Sequence, residues 1–70
     1  MRKRAYPTEE SMNAQDLSTW INSLEGTVIL KMERTVLRIQ NVLSITILPV
    51  GEGLATAIAY IEVQEERSYE

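Results

Sequence analysis

Apolar positions recur with helical spacing near the start of the chain. Leu17, Trp20, Ile21 and Leu24 stand at i, i+3, i+4 and i+7, which places them on one stripe of a helix. Asn13 is a natural N-cap, Asp16 stands in the first turn near the positive helix end, and Gly26 suits the residue after the C-cap. The pattern predicts a helix over 13–25. Its outer positions, Ser18, Thr19, Asn22 and Ser23, are mediocre helix formers, so packing has to hold it. Trp20 lies on the stripe and belongs with the core.

Residues 27–41 carry two conflicting signals. Thr27, Val28, Ile29, Thr35, Val36 and Ile39 are β-branched, which favours strand. Strict alternation fails, because Lys31, Glu33 and Thr35 share a parity with Ile29, Leu37 and Ile39. On a helical wheel Val28, Ile29, Met32, Val36, Ile39 and Leu43 fall within an arc of roughly 100°, opposite Lys31, Arg34, Arg38 and Asn41. Ranking period above propensity predicts a second helix over 28–41. The rival is a short hairpin of 27–32 with 35–40, turning at Glu33-Arg34, a turn without Gly, Asn or Asp. Leu30 and Leu37 lie off the main stripe, either against the first helix or against another subunit.

Residues 42–63 read as β structure. Strands over 42–48 and 54–63 flank the loop Pro49-Val50-Gly51-Glu52-Gly53. Glu52 is the only charge between Ile39 and Ile61. That run is long enough to span a bilayer, but its central Pro-Val-Gly-Glu-Gly argues against a membrane helix. One face of the second strand presents Leu54, Thr56, Ile58 and Tyr60; the other presents Ala55, Ala57, Ala59, Ile61 and Val63. Neither face is charged before Glu62, so once helices cover one, the other asks for a partner. Ile45 and Ile58 are expected to pack within this hairpin. The predicted fold is α+β: two short helices followed by an antiparallel β-hairpin, the sheet completed by oligomerisation. The alternative is one helix followed by a three- or four-stranded β-meander.

Composition narrows the chemistry. The chain has 70 residues, with neither Cys nor His. Disulfides, thiolate catalysis and cysteine zinc sites are excluded, and the commonest general base and metal ligand is missing. One small domain is expected at 11–64. A core of this size, without staples, supplies only about 3–5 kcal/mol, which again favours association. The net charge of −3 conceals a basic head, Arg2-Lys3-Arg4, and an acidic end with Glu62, Glu65, Glu66 and Glu70. Residues 1–10 read as a flexible basic arm and 65–70 as an acidic tail. No apolar run follows the basic head, so no signal peptide is expected and a cytoplasmic location is the default.

Three groups of residues are candidates for function. Lys31, Arg34 and Arg38 form a basic patch on the expected second helix, where Arg34 and Arg38 are one turn apart and could hold an anion or be neutralised by Glu62, Glu65 and Glu66. Leu30, Leu37, Ile45, Ile47, Ile58 and Tyr60 are the candidate oligomer interface. Arg2, Lys3 and Arg4 are a candidate phosphate-contacting arm, although the acidic body lacks the footprint of a nucleic-acid-binding domain. Gly51-Glu52-Gly53 joins two strands and is a turn, not a phosphate cradle. No catalytic residue, cofactor or metal site is expected. The expected function is a non-enzymatic, homo-oligomeric module that binds another protein, an adaptor or inhibitor of the kind bacteria and phages encode. The alternatives are an oligomer that sequesters a small anionic, nucleotide-like ligand between subunits, and a weak nucleic-acid accessory protein.

Overall fold

A computed structural model describes residues 2–67. The order is β1 (Arg2–Pro7), α1 (Ala14–Asn22), β2 (Val28–Met32), β3 (Thr35–Gly51) and β4 (Leu54–Arg67). The four strands form one antiparallel sheet in the order β1-β4-β3-β2, with α1 against β4. One helix with a meander of β2, β3 and β4 is the alternative weighed from the sequence. The second helix over 28–41 does not form.

That stretch is the rival hairpin. β2 pairs with β3 around a turn at Glu33-Arg34, where Glu33 takes φ 54° without glycine's freedom. β3 then breaks register three times against β4, between Ile39 and Asn41, Val42 and Ser44, and Pro49 and Gly51. At each break two steps on β3 answer one on β4, so Gln40, Leu43 and Val50 are bulged residues. Cross-strand partners share a face, which places Leu37, Ile39, Val42, Ile45 and Ile47 together on the helix side. Their spacing of two, three, three and two residues imitates a helical stripe while belonging to a bulged strand.

The helix begins as its sequence predicts. The Asn13 side chain accepts a hydrogen bond from the Asp16 N–H at 2.8 Å. It ends at Asn22, earlier than expected, and the Ser23 hydroxyl donates to the Trp20 carbonyl while Thr27 donates to that of Ser23. Gly26 therefore serves the following turn instead of the helix end. Its φ is 86°, and its N–H reaches the Ile39 carbonyl at 2.8 Å.

The core lies between α1 and the sheet. Leu24, Ile39, Ala59, Ile61 and Val63 form the buried cluster, joined by Tyr6, Trp20, Ile29, Val42 and Ile45. Ala57 and Ala59 are fully buried, and their small side chains let α1 approach β4 closely. Ile58 does not join this cluster, contrary to its expected core role, because its neighbours in alternation, Ala57 and Ala59, occupy the helix side.

Residues 2–7, expected as an unpaired arm, are an edge strand. β1 pairs with β4 from Arg2–Val63 to Pro7–Ile58. Pro7 is acceptable at the end of an edge strand. The chain continues along β4, with the Thr8 N–H donating to the Ala57 carbonyl and Met12 bridging to Ala55. Tyr6 stacks on Trp20, with ring centres 6.0 Å apart and planes 4° from parallel, and ties β1 to the helix. Of the expected acidic tail, 65–67 continue β4, whereas 68–70 lie outside the described residues.

Two outcomes follow. Ile61→Ala should cost about 2–5 kcal/mol, as buried large-to-small changes do, while Ile58→Ala should cost less; denaturant unfolding measures both. Glu52 and Gly53 both have positive φ in the two-residue β3–β4 turn, 56° and 74°. Glu52→Asn should raise the melting temperature, because asparagine tolerates that conformation better than glutamate.

Candidate interaction surface

Two parts of the sheet are left uncovered. The first is its outer face, away from α1. From the strand pairing, this face carries Val36, Arg38, Asn41, Ser44, Thr46 and Leu48 on β3, with Glu66, Gln64, Glu62, Tyr60, Ile58 and Thr56 opposite on β4. The face divides in two. Lys3, Glu62, Arg38 and Glu66 make the end near the termini polar, with Asn41 donating to Glu62 at 3.3 Å. The end near the β3–β4 turn carries no charge apart from Glu52 at its tip. Leu43, Leu48 and Tyr60 remain 46, 48 and 42% exposed there. A shallow hollow of about 290 Å³ crosses this face, lined by Lys3, Arg4, Ala5, Leu43, Tyr60 and Ile61.

The second uncovered part is an edge. β2 pairs with β3 only over Thr35–Arg38, and the turn before β2 adds bonds to Ile39. Beyond Ile39, among the described residues, no strand lies on that side of β3. The helix lies against β4. Residues 40–50 thus present an open backbone edge without a charged side chain.

The structure places the expected interface residues in different settings. Ile47 is exposed near the turn, and Ile45 beside it is half-buried against the core. Tyr60 and Ile58 stand on the outer face. Leu30 is 40% exposed on edge strand β2, but its cross-strand partner Leu37 is 3% exposed and is not available to a partner. The sequence reading passed over Leu43, Leu48 and Val50, all exposed. Their signal was the charge-free run itself, from which single exposed positions cannot be read before the bulges are known.

The basic patch is dispersed. Lys31 is on β2, Arg34 in the turn and Arg38 on β3, so the one-turn spacing of the two arginines is lost with the helix. Arg38 is engaged: its Nε donates to Glu66 at 3.1 Å and its Nη1 to the Gly26 carbonyl at 2.7 Å. This clamp joins β3, β4 and the turn before β2. Arg2, Lys3 and Arg4 are exposed, and strand alternation sends Lys3 to one face and its neighbours to the other. Among the described residues no cluster of acidic side chains could hold a metal ion, and no helix is long and apolar enough to cross a membrane.

Comparison with protein families, with curated proteins and with solved structures finds no match to this chain.

The Arg38 clamp is about half exposed, so water screens much of its value. Arg38→Ala should lower stability by about 1 kcal/mol or less, and Arg34→Ala should leave it unchanged; paired denaturant curves test the difference.

Proposed function

We propose that this protein is a non-enzymatic interaction module that self-associates and binds another protein through its sheet, as an adaptor or inhibitor of the kind bacteria and phages encode. One observation carries the reading: the half of the sheet near the β3–β4 turn is uncharged and exposes Leu43, Leu48 and Tyr60 on the face away from α1. Exposed Leu43 and Tyr60 flank a hollow with Lys3 on its rim, which suits an apolar partner surface bordered by an acid. The dispersal of Lys31, Arg34 and Arg38 weakens the anion-sequestering alternative. The split of the Arg2-Lys3-Arg4 charges between two faces weakens the nucleic-acid alternative.

Affinity capture from host lysate, comparing the wild-type chain with Leu43→Glu and Tyr60→Lys, tests this reading. A partner retained by the wild type at high salt and lost by both variants, with their circular dichroism unchanged, is the expected result. Capture that is equal for all three chains, or that disappears in salt as phosphate contacts do, would overturn it.

A further inference from the structure

We propose that the open edge of β3 is a self-pairing seam: two copies join antiparallel about a two-fold axis at Thr46, giving one continuous eight-stranded sheet. The inference rests on the self-association named above and specifies its geometry.

The direction of the backbone groups comes from the hydrogen bonds on the far side of β4. Ala57 and Ala55 turn their carbonyls toward the N-terminal segment, where Thr8 and Met12 donate to them at 2.9 and 2.8 Å. Along an antiparallel strand these groups alternate sides, so Thr56, Ile58 and Tyr60 turn theirs toward β3. Their partners Leu48, Thr46 and Ser44 face inward to meet them. Ile45 and Ile47 consequently direct N–H and C=O out of the open edge. Ile39, farther back on the same strand, uses its outward groups to bond Thr27 and Gly26, as a covered edge does.

The register is set by what interrupts the strand. The bulge at Leu43 ends regular geometry on one side. Pro49, which has no N–H to give, ends it on the other. Ser44-Ile45-Thr46-Ile47-Leu48 is the regular run between them, and Thr46 is its centre. A two-fold axis there sets Ile45 against Ile47 of the second copy, twice, in hydrogen-bonded pairs. Thr46 meets itself, and Ser44 meets Leu48. The isoleucines lie on the helix-side face, so the seam covers Ile47, which is 48% exposed in the single chain.

The occupant is a second copy because the segment is self-complementary. A strand paired with itself about a two-fold axis sets its central residues against one another, and any charge near the centre would oppose its own kind. Residues 40–50 contain none. Between the Leu43 bulge and Pro49, the run 44–48 has no lysine, inward charge or proline to keep it single. β1 and β2, the outermost strands of the sheet, carry Arg2, Lys3 and Arg4 and Lys31 respectively, so the charge-free stretch of β3 is the edge left to pair and the assembly closes as a dimer.

Light scattering on the full chain and three variants tests the seam. The wild type should have twice the mass of its 8.0 kDa chain. Ile47→Lys should be monomeric with an unchanged circular dichroism spectrum, because the lysine is added at an exposed edge position. Tyr60→Lys, on the outer face, should remain dimeric. Thr46→Cys should form a covalent dimer on mild oxidation: a central non-hydrogen-bonded pair brings its Cα atoms within about 4.5 Å, inside the disulfide range of about 4.4–6.8 Å. A dimer that survives Ile47→Lys, or in which Cys at position 46 does not cross-link, would overturn the seam and leave self-association standing by another surface. A wild-type chain that stays at 8.0 kDa up to millimolar concentration would overturn self-association itself.

Discussion

One constraint governs this molecule: a single nine-residue helix must cover a β3–β4 ladder that is much longer than itself. α1 packs on β4, whose Ala57, Ala59 and Ile61 are fully buried, and the buried cluster is gathered between helix and sheet. The alanines make this possible, because a larger residue at either position would hold the helix away from the sheet. The remainder of the ladder projects beyond this cover. The molecule measures 47 × 20 × 16 Å, and its radius of gyration is 13.6 Å. A compact chain of this length would have about 11 Å. Elongation, exposed apolar side chains and the open edge are consequences of the same shortage of cover.

The N-terminal segment extends that cover in a way the sequence pattern hides. β1 has no apolar period to announce it, since its inward contribution is the single ring of Tyr6 stacked on Trp20. Its attachment is mostly backbone: pairing from Arg2 to Pro7, then the bonds of Thr8 and Met12 to β4. Such bonds leave no trace in side-chain hydropathy. The charges of Arg2, Lys3 and Arg4 suit an edge strand, because charged edges resist pairing with further chains. The composition that suggested a free arm is thus also that of a protected edge.

The parts legible in the sequence were those whose apolar spacing was uninterrupted. The α1 stripe and its Asn13 cap emerge because Leu17, Trp20, Ile21 and Leu24 obey one period. β4 emerges because Ala57, Ala59, Ile61 and Val63 alternate without a break. Residues 42–48 were read correctly as strand, but the first part of β3 was misread because the bulges at Gln40 and Leu43 each insert one residue and convert a period of two into steps of three. The β-branched Thr35, Val36 and Ile39 carried the correct signal, and pairing with β4 made it decisive. The same error grouped Lys31, Arg34 and Arg38 on one helix face, and it concealed that Leu37 is buried while Leu43 is exposed.

The bulges also explain why the two halves of β3 differ in use. Before Gln40, β3 has β2 on one side and β4 on the other, and Arg38 binds it both to Glu66 on β4 and to the Gly26 carbonyl in the turn before β2. Two bulges within four residues then bend the strand and strengthen its twist. β2 has already ended, and the strand continues with one neighbour only. From that point side-chain charge disappears, apart from Glu52 at the tip, until Glu62 on the returning strand. Loss of a neighbouring strand and loss of charge therefore begin at the same place. A projecting hairpin with no binding role would be expected to carry charges on its wet positions, as the sheet does at Lys3, Arg38, Glu62 and Glu66. Here Ser44, Thr46 and Thr56 supply hydroxyls where those charges would stand, and hydroxyls can be buried by a partner at a smaller desolvation cost than ions. The change in composition along β3 is what the proposed seam and partner surface require.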